Sequence, residues 1–270
     1  MNVVIIGAHP DDAEFFAGGV SIKWTRLGHR VLFVSATNGD VGHHEVSGGA
    51  LAQRRAAEAR RSARIAGASE RVLDYHDGEF LPTLEARKRI VRLIREFEAD
   101  IVMTHRPWDY HPDHRYTAMA VQDAAFMVTV PLYCPDAPAL RRNPVFLYLM
   151  DGFQRPYPFR ADIAVAVDDV MDEKWAMLDA MESQVYEWLP WLEGRAGETP
   201  TDSGERKAFL RAMWDPFFLE PAQRGRDALA AWYGPERAAA VRYAELFEIC
   251  EYGRQPAREE LREFFPFFDA

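Results

Sequence analysis

Val3-Val4-Ile5-Ile6-Gly7-Ala8-His9-Pro10-Asp11-Asp12-Ala13-Glu14 decides how the chain is read. Four β-branched apolar residues in a row suit a strand buried on both faces, as in parallel sheets covered by helices. Gly7 ends the run, and His9 to Glu14 crowd titratable groups directly behind it. A dinucleotide-binding loop needs Gly-x-Gly-x-x-Gly at this point. Gly7-Ala8-His9-Pro10-Asp11-Asp12 instead sets negative charge where a pyrophosphate would sit.

Further strands read outward from this one. Val31-Leu32-Phe33-Val34 is stopped by the turn residues Thr37-Asn38-Gly39-Asp40. Val72-Leu73 is weak; Ile101-Val102-Met103, Val145 to Leu149 and Ile163 to Val167 complete the set. Helices fit between them. Ala50 to Ile65 is rich in Ala and Arg and stops before Gly67, while Leu84 to Phe97 spaces Leu84, Ile90, Val91, Ile94 and Phe97 along one stripe. Strands alternating with helices of this length predict an α/β domain with a mostly parallel sheet over residues 1–183.

After Asp168 the pattern changes. Asp168-Asp169 caps a helix to about Ser183, Gly194 to Ser203 reads as an exposed loop, and Pro221–Tyr233 and Pro235–Ile249 read as helices. Residues 184–270 are therefore expected to form a helical extension packed on the same domain. The tail Phe264-Phe265-Pro266-Phe267-Phe268 should dock onto the chain's own sheet or helices.

The chain has 270 residues, 48% of them hydrophobic and 27% charged, enough to build a sizeable core and too apolar for disorder. With 32 basic and 42 acidic residues the net charge is −10, which argues against a nucleic-acid partner. Cys134 and Cys250 cannot scaffold the fold and read as reduced thiols. The first residues lack a basic flank and a small-residue cleavage site, and no window offers 18 uncharged apolar residues. A soluble, cytoplasmic protein with no membrane partner is the expectation.

Chemistry concentrates behind two strands. His9 follows the first; His105, His111 and His114 follow the fourth, in Thr104-His105-Arg106-Pro107-Trp108-Asp109-Tyr110-His111-Pro112-Asp113-His114. His76 lies with Asp74 and Asp77 after the third. Segments after parallel strands share the carboxyl edge of the sheet, where α/β folds hold ligands. Both segments contain His-Pro-Asp, and a proline there stiffens the turn into a helix. Such turns can present His9 and Asp12 from one loop and His114 from the other: three ligands with an open fourth position, as in a catalytic zinc site. The neighbours Asp11 and Asp12 repel each other unless a cation lies between them.

Ala8-His9-Pro10-Asp11-Asp12-Ala13-Glu14 with Gly18-Gly19, and His111-Pro112-Asp113-His114, resemble the two signatures of the PIG-L (LmbE-like) deacetylase family. That family includes the deacetylases of glycosylphosphatidylinositol, mycothiol and bacillithiol synthesis. The resemblance covers about the first 170 residues. It implies a Rossmann-like three-layer sandwich and removal of an N-acetyl group from an N-acetylglucosamine-like sugar or conjugate. Zn2+ is the implied metal, with Fe2+ as the alternative in the cell, on His9, Asp12 and His114. Asp11 resembles the general base, His111 the residue that stabilises the oxyanion or protonates the amine, and Asp113 the carboxylate orienting His111. Arg55 with Glu58 resembles a substrate-contacting helix pair, and Asp77 a carboxylate on sugar hydroxyls; Glu14 is expected at the same pocket edge. Beside a dication Asp11 should stay ionised, and Asp113 should raise the pKa of His111.

The resemblance further implies a small-molecule N-acetylated sugar as partner and a homo-oligomer. Trp108 and Tyr110 are candidates to stack on a sugar face. Two departures stand out. Asp109 occupies a position where some relatives carry tyrosine, and Ala180-Met181-Glu182 offers no histidine near Ser183-Gln184, where other relatives do. Two other readings are an amidase acting on a thiol-sugar conjugate and a catalytically silent metal- or sugar-binding protein.

Overall fold

The computed structural model describes residues 1–268. In chain order the elements are β1 (Asn2–Gly7), α1 (Asp12–Arg26), β2 (Arg30–Thr37), α2 (Gly48–Ile65), β3 (Ser69–Tyr75) and α3 (Leu84–Glu96). Next come β4 (Ile101–Thr104), α4 (Pro112–Met127), β5 (Val145–Leu149), β6 (Ile163–Ala166) and α5 (Met171–Asp179). A π-helical turn (Ser183–Trp188) leads into α6 (Leu189–Leu192), α7 (Ser203–Arg224), α8 (Arg226–Tyr233), α9 (Pro235–Ala240), β7 (Ala244–Gly253) and α10 (Arg258–Phe264).

Among the described residues seven strands form one sheet in the order β3-β2-β1-β4-β5-β7-β6. β1 pairs in parallel with β2 on one side and with β4 on the other, Val3 lying beside both Val31 and Ile101. The chain's winding reverses between β1 and β4, and such a switch point opens a crevice at the carboxyl ends of the strands. β1 is buried on both faces, as its run of Val and Ile demands. Val3 and Ile5 join a core with α1, α5 and the C-terminal phenylalanines; Val4 and Ile6 join one with α3 and α4. β3 is the weakest strand in sequence because it is the edge, with only Leu73 fully buried.

The expected α/β class and mostly parallel sheet are what the molecule has, and the C-terminal part corrects several expectations. Pro235–Ile249 was expected as helix, but α9 ends at Ala240 and Ala244–Gly253 is a strand, antiparallel to β5 and to β6. Pro235 does open a helix, α9, but the strand that follows holds Glu245 and Glu248. Both are buried with partners: Glu245 accepts from the backbone of Gly19 and Val20 at 2.7 Å and meets Lys174 Nζ at 2.7 Å. Glu248 accepts from Arg160 N at 2.9 Å. Gly19 is required here, since a Cβ would stand 3.0 Å from Glu245 Oε1 and 2.8 Å from Val167. Pro221 likewise lies inside α7 and opens no helix; the break falls at Gly225. Asp168 caps no helix of its own and accepts instead from the backbone of Arg242 and Tyr243. Leu84, expected on the buried stripe of α3, is exposed.

The tail docks as expected: Phe265 and Phe268 are buried, Phe265 against Trp24 at 5.1 Å and Phe268 stacked on Trp232 at 4.4 Å. Cys134 and Cys250 are buried and unpaired. Among the described residues no helix is long and apolar enough to cross a membrane.

Candidate metal centre

The crevice between β1 and β4 receives the two His-Pro-Asp turns. β1 ends at Gly7, where a Cβ would stand 2.5 Å from Asp12 Cβ and 3.0 Å from Asp12 Oδ2. Glycine thus lets the first turn of α1 fold back over the strand end. Asp12 Oδ2 then accepts from the backbone N–H groups of Ala8 and His9, both at 2.8 Å, and lies 3.0 Å from His105 Nε2. On the other side Pro112 occupies the first turn of α4, which turns His111 and His114 toward the same crevice.

His9, Asp12 and His114 meet. His9 Nδ1 lies 3.2 Å from His114 Nε2 and 3.7 Å from Asp12 Oδ2, and His114 Nε2 lies 3.5 Å from Asp12 Oδ1. Ligands held about 2.0–2.1 Å from a tetrahedral cation stand about 3.3 Å apart; His9 Nδ1 and His114 Nε2 have that spacing, and each faces a different oxygen of Asp12. His111 also stands close enough to join His9 and His114 in such a group, as does His105 with Asp12 and His114. The outer ring nitrogens are fixed as metal-binding histidines require. His9 Nε2 faces Asp77 Oδ1 at 3.2 Å and Asp113 Oδ2 at 3.3 Å, and His114 Nδ1 faces Asp109 Oδ2 at 3.0 Å. The His105 ring stacks on His114 at 4.0 Å.

The electrostatics describe a site short of positive charge. Burial works against a charged His9, yet the hydrogen bonds to Asp113 and Asp77 and the charge of Asp12 push its pKa up to about 10. Burial also opposes the Asp12 carboxylate, but His114 and His105 hold it well below the usual range. For Asp11 burial pushes the pKa up, Arg55 pulls it back and Asp12 pushes again; the net direction is upward. Three carboxylates around one imidazole stabilise a cation at the place where His9, Asp12 and His114 converge.

The predicted residues fall into groups. Asp11 lines the cavity beside the three donors, and Arg55 Nη2 holds its Oδ2 at 3.2 Å. Arg55 is itself buried, reaching also toward Asp77 at 3.7 Å and the Gly39 carbonyl at 3.4 Å, so it braces carboxylates. Asp77 lines the cavity and faces His9 at 3.2 Å and Arg55 at 3.7 Å. Glu58 is buried and accepts from Ser183, tying α2 to the π-helical turn. Glu14 does not line the cavity: it is buried in α1, where burial chiefly, with Asp11 and Asp12 nearby, pushes its pKa up to about 8. Tyr110 lies at the cavity wall, and Trp108 lies in a separate depression with Tyr157 and Tyr252. His76 is exposed and pairs with Asp40 at 2.7 Å.

His111 departs from expectation. The Asp113 carboxylate accepts from the backbone of Gly78 at 2.6 Å and Phe80 at 3.1 Å and faces His9, so it does not orient His111. His111 Nδ1 instead accepts from the Asp113 backbone N–H at 3.2 Å, capping α4. Burial and the charges of His9 and His114 push its pKa down. With Nδ1 accepting, the neutral ring carries its proton on Nε2.

Three residues of the site were not assigned from sequence. His105 carried a signal, its position directly after β4. Asp109 was visible only as a departure from a tyrosine, and its bond to His114 explains it. Gln184 lines the cavity and reaches the Gly42 carbonyl at 3.2 Å, with no sequence signal of its own.

Comparison with known proteins follows this geometry. The family model described as GlcNAc-PI de-N-acetylase, PIG-L, matches residues 4–125. A diacetylchitobiose deacetylase of Thermococcus kodakarensis is 34% identical over 218 residues, 77% of this chain and 80% of that protein. The chain belongs to the PIG-L family of de-N-acetylases. Among solved structures, the N,N'-diacetylchitobiose deacetylase from Pyrococcus horikoshii aligns with a TM-score of 0.68 at 24% identity, covering 92% of this chain and 83% of that one. The 4-carboxy-2-hydroxymuconate hydratase of Pseudomonas putida aligns with a TM-score of 0.71 at 20% identity, covering 95% and 97%. At these identities the two structures speak for the PIG-L fold alone.

Proposed function

We propose that the chain is a Zn2+-dependent N-deacetylase acting on N-acetylglucosamine-like sugars. The observation that carries this reading is the meeting of His9, Asp12 and His114 at 3.2–3.7 Å, with their outer atoms held by Asp77, Asp113, Asp109 and backbone N–H groups. Those three residues would hold the ion, which when bound acts as a Lewis acid and makes a water molecule acidic near neutral pH.

The chain's own groups divide the remaining work. Asp11, raised by burial and braced by Arg55, accepts a proton from the attacking water. His111 donates its Nε2–H to the oxygen that gains charge as the amide carbon becomes tetrahedral. Collapse breaks the C–N bond, and the amine nitrogen takes the proton that Asp11 collected. Acetate and a free amine leave. Asp113 and Asp77 act through His9, and Asp109 through His114, as positioning residues.

The sugar reading draws support from the relative named a diacetylchitobiose deacetylase and from the cavity's charge. Its lining carries Asp11, Asp12, Asp77, Asp109, Asp151 and Glu220 against Arg55, Arg106 and Arg224. Each arginine is paired: Arg55 with Asp11 at 3.2 Å, Arg106 with Asp151 at 3.0 Å, Arg224 with Glu220 at 3.5 Å. Such a lining leaves none of its arginines without a carboxylate partner and suits a neutral, hydroxyl-rich amide.

The test is release of free amine from N-acetylglucosamine and N,N'-diacetylchitobiose. Protein loaded with Zn2+, or with Fe2+ under anaerobic conditions, is compared with chelator-treated protein. Turnover that disappears with chelator and returns with metal is expected. Fully loaded protein that releases no amine from any N-acetylated sugar overturns the reading.

A further inference from the structure

A second cavity, of about 800 Å³, opens on the α4 side of the sheet and takes no part in the chemistry above. β5 and β7 floor it with Tyr148 and Glu248, α4 walls it with Gln122, and Trp108, Tyr157 and Tyr252 stand around it. These three rings are 44, 43 and 54% exposed. Large aromatic side chains left in water around one concave surface are a footing for a ligand, because a flat apolar face laid on them removes both from water. The floor is built in advance: Gln122 donates to the Tyr148 hydroxyl, which meets Cys250 Sγ at 3.1 Å.

Charge narrows the ligand. Arg160 is the one cation lining this cavity among the described residues, and its side chain is engaged by Asp162 at 2.7 and 3.1 Å. Glu248 and Glu251 line it too, so an anion is repelled. Glu248 is buried; its Oε2 accepts from Arg160 N at 2.9 Å, and its Oε1 has no hydrogen bond among the described residues. A neutral ligand with apolar faces and donating edges answers both features. A β-1,4-linked pyranose chain is such a ligand: each ring carries axial C–H groups on two flat faces and equatorial hydroxyls around its rim. Only one turn of chain parts the two cavities. Asp109 and Tyr110 line the metal-binding cavity, whose apolar side is Phe16, Trp214 and Phe217, and the preceding Pro107 and Trp108 line the second. Arg106 lines the first and reaches the second, standing 4.7 Å over the Tyr157 ring and donating to the Tyr157 carbonyl at 2.6 Å.

We propose that the second cavity is an accessory site for a neutral β-1,4-linked oligosaccharide, the continuation of the chain whose N-acetylated unit enters the metal-binding cavity. Trp108, Tyr157 and Tyr252 give the stacking faces, and Glu248 accepts a rim hydroxyl. The link between the two cavities rests on the deacetylase reading; saccharide binding at the second does not.

Cellohexaose, which has the linkage and no amide to cleave, is titrated calorimetrically into the wild-type protein and into Trp108→Ala and Tyr252→Ala. The wild type should bind it, and each variant should bind it about fivefold or more weakly. The zinc-loaded enzyme is then assayed for kcat/KM on N,N'-diacetylchitobiose and on its six-unit homologue. The longer substrate should be favoured about fivefold or more, through KM. In Trp108→Ala that ratio should fall toward one, a ratio that partial misfolding does not move. Absence of cellohexaose binding, binding that both variants keep intact, or a ratio of one in the wild type overturns the proposal. So does a Trp108-dependent dimer in light scattering without saccharide binding, which gives the surface to a second copy of the chain. Should cellohexaose bind in a Trp108-dependent way while no amide is cleaved at either length, the accessory site stands and the deacetylase reading fails.

Discussion

His114 is held by a 3.0 Å contact to Asp109 and a ring stacked on His105, whereas Trp214 is held by ring edges at 5.2 and 6.0 Å and has a buried indole nitrogen without a partner. The first is fixed by direction, the second by volume. A wall of directional contacts loses a partner with every substitution, while an apolar wall accepts exchanges of similar size at small cost. The difference teaches where this protein has latitude: the residues behind β1 and β4 are tied to one arrangement, and those of α6 and α7 are free to be re-cut for another ligand.

That contrast can be broken in four ways. Asp11→Asn should lower kcat by about 10²–10⁴-fold while zinc content by elemental analysis stays the same. A variant that keeps its rate would remove Asp11 from the chemistry. The buried Lys174–Glu245 pair ties α5 and β7 to α1 behind the site, Lys174 also donating to the Phe15 carbonyl at 2.8 Å. Glu245→Ala strands that ammonium, and urea unfolding should show a loss of about 3–5 kcal/mol. Unchanged stability would mean that the pair does not hold these elements together.

Asp109→Ala frees the outer nitrogen of His114 and should weaken zinc about 10–100-fold in competition with a chelating dye. Phe217→Leu should leave zinc affinity unmoved, and an equal loss in both would erase the distinction between the walls. The last prediction concerns Glu14. Its pKa in the folded chain, about 8 against an ordinary 4.5, favours the neutral acid. Its contribution to stability is therefore present below about pH 4.5 and fades as pH rises through 8. In metal-stripped protein Glu14→Gln should flatten that decline in thermal melts between pH 5 and 8; an identical decline would acquit Glu14.

Sequence served the two regions unequally for physical reasons. β1 and the His-Pro-Asp turns were legible because a doubly buried parallel strand is an unbroken apolar run and proline marks a helix start. His105 escaped because it acts against Asp12, 93 residues away in the chain, and Asp109 because its bond to His114, five residues on, depends on the shape of the turn and not on residue type. The role of Asp113 misled because its backbone and its carboxylate serve different histidines. β7 was not legible because Pro235 marks where a helix starts and not where it stops, and the partners that bury Glu245 and Glu248 lie far away in the chain.

β7 carries one more consequence, for how the protein comes into being. Among the described residues it is the sole hydrogen-bonded link between β5 and β6 in the sheet, and its Cys250 meets Tyr148 across 102 residues of chain. While a ribosome is still extending the polypeptide, β5 and β6 wait with bare edges, and closing so long a loop is slow. β7 follows both of its partners in the chain, and a synthesis halted before residue 244 leaves a sticky, unfinished flank for chaperones to guard.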